Sequence, residues 1–302
     1  MTDIASPLPL FNRSTTRHKS PNGVAVLWRK TSWPIRLCLV AFATIVMLAV
    51  LAPVLAPHDP NAQKLLARLK PPVGMEGAVA GHWMGTDQLG RDLTSRLLHG
   101  LQLTLGIALI GSLISLVLGT TLGVIAGYGR GRVGAFIMGM VDVQIAVPFT
   151  LIALFTIALM GNSLPVLVCV IGLSGWESYA RIVRAQVLTI SRMPYIEAAV
   201  AAGASKPRIL LRQVLPNIAS SLVVIWTMTF SGLILTESTL SFLGLGVQPP
   251  TATLGSMVGL GRDYLASSPW IALLPSLLIM LVSLLVLLIG DWLRDALDVR
   301  LK

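Results

Sequence analysis

Apolar residues in this chain collect in long charge-free runs separated by short polar and basic stretches. The runs cover residues 37–57, 97–129, 143–176, 213–236 and 264–290. About 20 apolar residues span a bilayer core, so four of these runs each supply one crossing. The run at 143–176 is long enough for two, interrupted near the Gly-Asn-Ser-Leu-Pro at 161–165. The pattern therefore predicts six transmembrane helices and an all-α integral membrane protein.

The expected order starts with a lead-in over residues 1–34, polar, basic and rich in Ser and Thr. A first helix at about 35–55 and a polar segment running to 101 follow. The core is expected over 102–292. It holds helix 2 (102–127), helix 3 (136–160), helix 4 (165–184), a long polar loop (185–215), helix 5 (216–238), a further polar segment (239–270) and helix 6 to about 292. A tail over 293–302 ends the chain. The first apolar run has full spanning length, and no convincing Ala-x-Ala site follows it, so it reads as a retained helix and not a cleaved signal peptide.

Composition agrees: 54% of residues are hydrophobic, 12% are charged and the mean hydropathy is +0.79, against about a quarter charged in soluble domains. The net charge of +10 raises the question of nucleic acid, and the placement of the charges answers it. With the N-terminus in the cytoplasm, 17 of the 23 Lys and Arg residues fall in cytoplasmic segments, as the positive-inside rule requires. Only Lys64, Arg68, Lys70, Arg91, Arg96 and Arg262 fall outside. Both termini are thus expected inside, and the charge reports topology. Cys38 and Cys169 lie in apolar runs without metal-ligand spacing and read as packing residues. Gly119, Gly123 and Gly127 repeat the small-xxx-small spacing of close helix contacts in lipid and are expected to pack within the chain.

The most informative stretch is residues 197–216, EAAVAAGASKPRILLRQVLP. Pro194 suits a first helical turn, and Glu197 then lies near the positive end of the helix dipole. Seven of the eight residues from Ala198 to Ser205 are Ala, Gly or Ser, so the helix can press into a groove of another protein. Ser205-Lys206-Pro207 should break it and start a second short helix. Arg208 and Arg212 are suited to acidic partner residues or lipid phosphates.

This Glu-Ala-Ala, Gly, Leu-Pro pattern resembles the cytoplasmic coupling loop of ABC-importer permeases. Residues 85–96 (GTDQLGRDLTSR), 240–250 (LSFLGLGVQPP) and 290–298 (GDWLRDALD) resemble signatures of the dipeptide/oligopeptide/nickel importer family, and of its second permease subunit. Gln213 departs from the loop pattern, where Ile is usual. The resemblance covers all but the first 30 or so residues and implies a type I importer permease fold in a bacterial inner membrane. It assigns ATPase coupling to Glu197, Ala198, Ala199, Gly203, Ala204, Arg208, Arg212, Leu215 and Pro216. It also implies as partners a homologous sister permease, two ABC ATPases and an extracytoplasmic binding protein. ATP and Mg would be bound by the ATPases, and no cofactor by this chain. The sequence itself contains no Walker-type phosphate loop, and His18, His58, His82 and His99 lack ligand spacing, so no enzyme, catalytic set or metal site is expected.

Asp87, Arg91, Asp92 and Arg96 recur at three- to five-residue spacing and are expected to pair on a short helix, as a brace or a binding-protein contact. Ionisable residues inside spans are functional candidates. Asp142, Glu177 and Glu237 are therefore candidate path residues, with Glu177 also placed to pair with Arg181. The expected activity is import of di- or oligopeptides. Nickel chelates, glutathione, opines or oligosaccharides are the alternative cargo, and an ion-coupled carrier without an ATPase is a remote rival.

Overall fold

The computed structural model describes residues 31–129 and 131–297. Most of the lead-in and the end of the tail, with Arg130, lie outside them. The regular structure of the described residues is helical apart from one isolated bridge, Thr86 to Asp92, and most of residues 56–92 and 243–253 is turn or irregular. In order the helices are α1 (Trp33–Val50), α2 (Leu93–Tyr128), α3 (Arg132–Ala146), α4 (Phe149–Met160), α5 (Leu164–Gly172), α6 (Trp176–Ile190), α7 (Pro194–Ala201), α8 (Lys206–Ile209), α9 (Leu215–Phe242), α10 (Leu254–Gly261) and α11 (Trp270–Leu297). Five uninterrupted or near-continuous runs are long and apolar enough to cross a membrane, and α3 with α4 makes a sixth if that bent pair is one span.

The predicted helix 3 is broken. α3 and α4 meet at 91° because Pro148 cannot donate the next backbone hydrogen bond and restricts Val147 to an extended conformation. Helix 4 is also interrupted, at Gly175, whose φ of 93° starts α6 anew. Carbonyls freed at this break find donors inside the protein, as an apolar environment demands. Ser115 Oγ–H lies between two of them and shares its one proton, 2.8 Å from Gly172 O and 2.6 Å from Ser174 O. Gln144 Nε2 donates to Leu173 O at 2.7 Å, while its Oε1 accepts from Trp176 Nε1 at 2.6 Å. The two breaks are thereby tied together through one amide side chain.

α2 is the central element and packs against α5, α6, α9 and α1. Its glycines set the approach of α6. A Cβ at Gly119 would lie 2.6 Å from Tyr179 Cβ, one at Gly123 2.8 Å from Val183 Cβ, and one at Gly127 2.8 Å from Val187 Cβ. The glycine stripe is an intramolecular contact, as expected. Cys38 packs against the core, whereas Cys169 is exposed on α5.

α2 begins at Leu93, earlier than the apolar run suggested, because Asp92 caps it: Asp92 Oδ2 accepts from Ser95 N–H and from Ser95 Oγ–H, each at 2.8 Å. At the opposite end of the span, α9 starts at Leu215 as expected but runs on to Phe242.

Candidate functional site

The predicted helix–break–helix lies at 194–209. α7 opens on Pro194 and closes in a Schellman turn. Gly203 has φ 80°, its N–H bonds Val200 O at 3.0 Å, and the Ala204 N–H bonds Ala199 O at 3.0 Å. Ser205 is extended at the N-cap of α8, which begins at Lys206 with Pro207 in its first turn. α8 then passes through a π-helical turn, Leu210–Val214, straight into α9. The predicted loop is therefore shorter than 185–215, since α6 persists to Ile190 on one side and α9 grows out of α8 on the other.

The unit is anchored by its larger apolar side chains. Ile196 and Ile209 are buried with Val183 and Val187 of α6, Val214, and Ile218 of α9. Asn217 Nδ2 adds a bond to Tyr195 Oη at 3.1 Å. The outward face mixes small and charged residues with the exposed Tyr195, Val200 and Leu211. Glu197, Ala198, Gly203, Arg208, Arg212 and Pro216 are exposed, and Ala199, Ala204 and Leu215 are half-buried. Among the described residues, Glu197, Lys206, Arg208 and Arg212 form no ion pair with the chain. An exposed helix face rich in small residues, with charges that form no ion pair among the described residues, is thus anchored at the end of two spans.

The other predicted site residues fall elsewhere. Asp142 and Arg181 form an exposed ion pair at 3.1 Å, which corrects the expected Glu177–Arg181 pair. Glu177 instead accepts from Gln144 Nε2 at 3.4 Å. The bend between α3 and α4 brings Asp142 across to α6, and no linear spacing could show that.

Glu237 is wholly buried and lines no open surface of this chain, contrary to its reading as a path residue. Its Oε1 accepts from Ser241 Oγ at 2.6 Å and its Oε2 from Thr104 Oγ1 at 3.2 Å. Thr104 Oγ1 in turn accepts from the Leu254 N–H at 3.1 Å. The carboxylate thus joins α2, α9 and α10. Leucine at Glu237 should lower thermal stability in detergent by about 1–3 kcal/mol per hydroxyl left unpaired. Glutamine, which still accepts at one oxygen, should stay close to the parent. A glutamine variant with parental stability but altered cargo preference would overturn the bracing role.

The charges at 87–96 are also buried, and they do not share a short helix: Asp87 and Arg91 precede α2, Asp92 caps it and Arg96 lies in its first turn. Asp87 sits in the turn before α2 and pairs with Arg91 Nε at 2.6 Å and Arg96 Nε at 3.4 Å. Arg96 also donates to Pro60 O at 3.1 Å. All four predicted residues are at most 3% exposed, so they brace the mouth of α2. His58 and His82, which lack ligand spacing along the chain, nonetheless reach Asp92 from distant positions.

Broken spans gathered around α2, with a small-residue helix fixed at one end, define the transmembrane subunit of a type I ABC importer. A family model described as the binding-protein-dependent transport system inner membrane component matches residues 119–302, and the chain belongs to that family. A second model, the N-terminal TM domain of oligopeptide transport permease C, matches residues 36–72. The chain is 43% identical over 258 residues to the di/tripeptide transport system permease protein DppC of Pseudomonas aeruginosa, covering 85% of each. It is 40% identical over 227 residues to the glutathione transport system permease protein GsiD of Pectobacterium atrosepticum, covering 75% of each. The fold matches a chain of the MetNI methionine ABC transporter in an inward-facing conformation, with TM-score 0.55 and 21% identity over 68% of this chain and 98% of that one.

Proposed function

We propose that this chain is one of two permeases in an ATP-driven importer of di- or oligopeptides, working by alternating access. The observation that carries this reading is the exposed small-residue helix α7, anchored below and charged at its rim. Two ATPases dock on it and on its counterpart in a sister permease. An extracytoplasmic binding protein delivers the cargo, and the termini and α7 lie in the cytoplasm. In this reading ATP and Mg sit on the ATPases and this chain binds no cofactor. Closure of the ATPases on ATP moves α7, and α8 transmits the movement to α9 because the two are continuous. α6 moves with them through its packing on Ile196 and Ile209. The spans then rock as a body and open the cavity outward, and hydrolysis resets them.

Glutathione is the alternative cargo, supported by the similarity to the glutathione permease. The test is ATPase activity of the assembled complex in lipid nanodiscs with its binding protein. Stimulation by binding protein loaded with a dipeptide mixture, above that with glutathione, is the expected result. The reverse order reassigns the cargo. Failure of any ATPase to co-purify overturns the importer reading.

A further inference from the structure

Two histidines far apart in the chain meet at the capped end of α2. His58 follows α1 and the short helical turn Ala52–Leu55, and His82 lies in the stretch leading to the cap. His82 Nδ1 is 2.8 Å from Asp92 Oδ1, and His58 Nδ1 is 4.0 Å from the same oxygen. Ligand atoms from the three residues all lie within 4.8 Å of one another. The His82 and Asp92 side chains are 6% and 1% exposed and that of His58 is 33% exposed. His58 Nδ1 itself is buried and has no hydrogen-bond partner. A buried ring nitrogen left unpaired beside a carboxylate points to a missing ligand.

We propose that His58, His82 and Asp92 form a binding site for a divalent transition-metal ion of zinc type. Two imidazoles and one carboxylate suit zinc, whereas magnesium and calcium take all-oxygen sets. Zinc bonds of about 2.0–2.2 Å place tetrahedral ligands about 3.3 Å apart. The observed gaps of 2.8 and 4.0 Å bracket that spacing. His82 exchanges its Nδ1 proton for the Nε2–H tautomer, and the metal takes the place of the proton now shared with Asp92. The two rings are stacked, with centroids 4.7 Å apart and planes 27° apart. His58 must therefore turn out of the stack to aim Nδ1 at the ion. Its partly exposed ring has Gly81 along one edge, which leaves room for that turn.

The surroundings hold the other two ligands in place. Asp92 Oδ2 is engaged by Ser95, which leaves Oδ1 facing the imidazoles. The His58 backbone N–H donates to Ser95 Oγ at 3.1 Å, fixing His58 beside the cap. Arg91 and Arg96, the nearby cations, are turned to Asp87. A bound ion would clamp the segment between α1 and α2 to the first turn of α2, independently of the cargo carried.

The experiment uses the full chain, purified in detergent through a histidine-free tag and stripped with chelator. Zinc titration should show one ion per chain and a raised melting temperature, and magnesium should produce neither. His58→Ala and His82→Ala should weaken zinc binding by more than about tenfold. His99→Gln should not, since His99 Nδ1 is occupied by Ser95 O at 2.9 Å. X-ray absorption of the zinc-loaded parent should report two imidazole nitrogens and a carboxylate oxygen, a readout that does not depend on any variant folding. Equal zinc affinity in folded His58→Ala, a zinc shell without imidazole, or no uptake by the folded parent would overturn the site.

Discussion

Replacing Gly123 with leucine is expected to abolish folded protein, measured as loss of a monodisperse peak after detergent extraction. The reason lies in the α2–α6 contact. A single Cβ at 123 already meets Ala180 O and Val183 Cβ at 2.8 Å, and both belong to a helix that cannot retreat. α6 is also tied to α3, through Trp176 bonded to Gln144, and to α7 and α8, through the cluster of Val183 and Val187 with Ile196 and Ile209. Overpacking a well-filled interior costs about 1–3 kcal/mol and sometimes more, and here four carbons enter where none fits. Leucine at Gly106 is the control, because no atom of the chain lies within 4 Å of a Cβ there. Equal yields from the two variants would show that α2 and α6 are not in contact as described.

The second large effect is functional and leaves the fold alone. Tryptophan at Ala198, exposed on α7, should cut ATP-dependent uptake more than about tenfold, since a factor of ten needs only about 1.4 kcal/mol of lost coupling. The stability of the chain should move by no more than about 0.5 kcal/mol, as for other exposed sites. The cause is steric: in the proposed assembly the helix offers backbone and methyl groups to an ATPase, and an indole would hold the surfaces apart. Uptake should fall with the co-purified ATPase, or with ATPase activity that no longer responds to the binding protein. Normal uptake by a stably inserted Ala198→Trp variant would remove α7 from the coupling mechanism.

The contrast between these positions shows how sequence and structure divide the information. Spanning segments were legible because a bilayer core imposes a length and an apolar composition that few other environments share. α7 and the short helix after it were legible because helix start signals are local, with proline in the first turn of each, although the break expected at 205–207 begins earlier, at the positive-φ Gly203. Pro148 is an equally local signal, but the helix expected over 136–160 ran straight through it, and the 91° bend there was seen only in the structure.

Side-chain partners were not legible. Arg181 has a carboxylate four residues away at Glu177, the spacing that stabilises pairs on an isolated helix. It takes Asp142 instead, because the bend of α3 carries that residue alongside α6. Glu237 looked like a path residue on composition, since ionisable groups in spans are rare, and the packing of α10 over α2 encloses it. His58, His82 and Asp92 converge because the segment between α1 and α2 doubles back on the cap of α2, a closure that no local spacing encodes. By itself, the sequence determined the family, the apolar spans and the small-residue helix α7, all carried by short-range patterns. Only the tertiary structure decided which charges are paired, buried or free, because those outcomes depend on where distant segments meet.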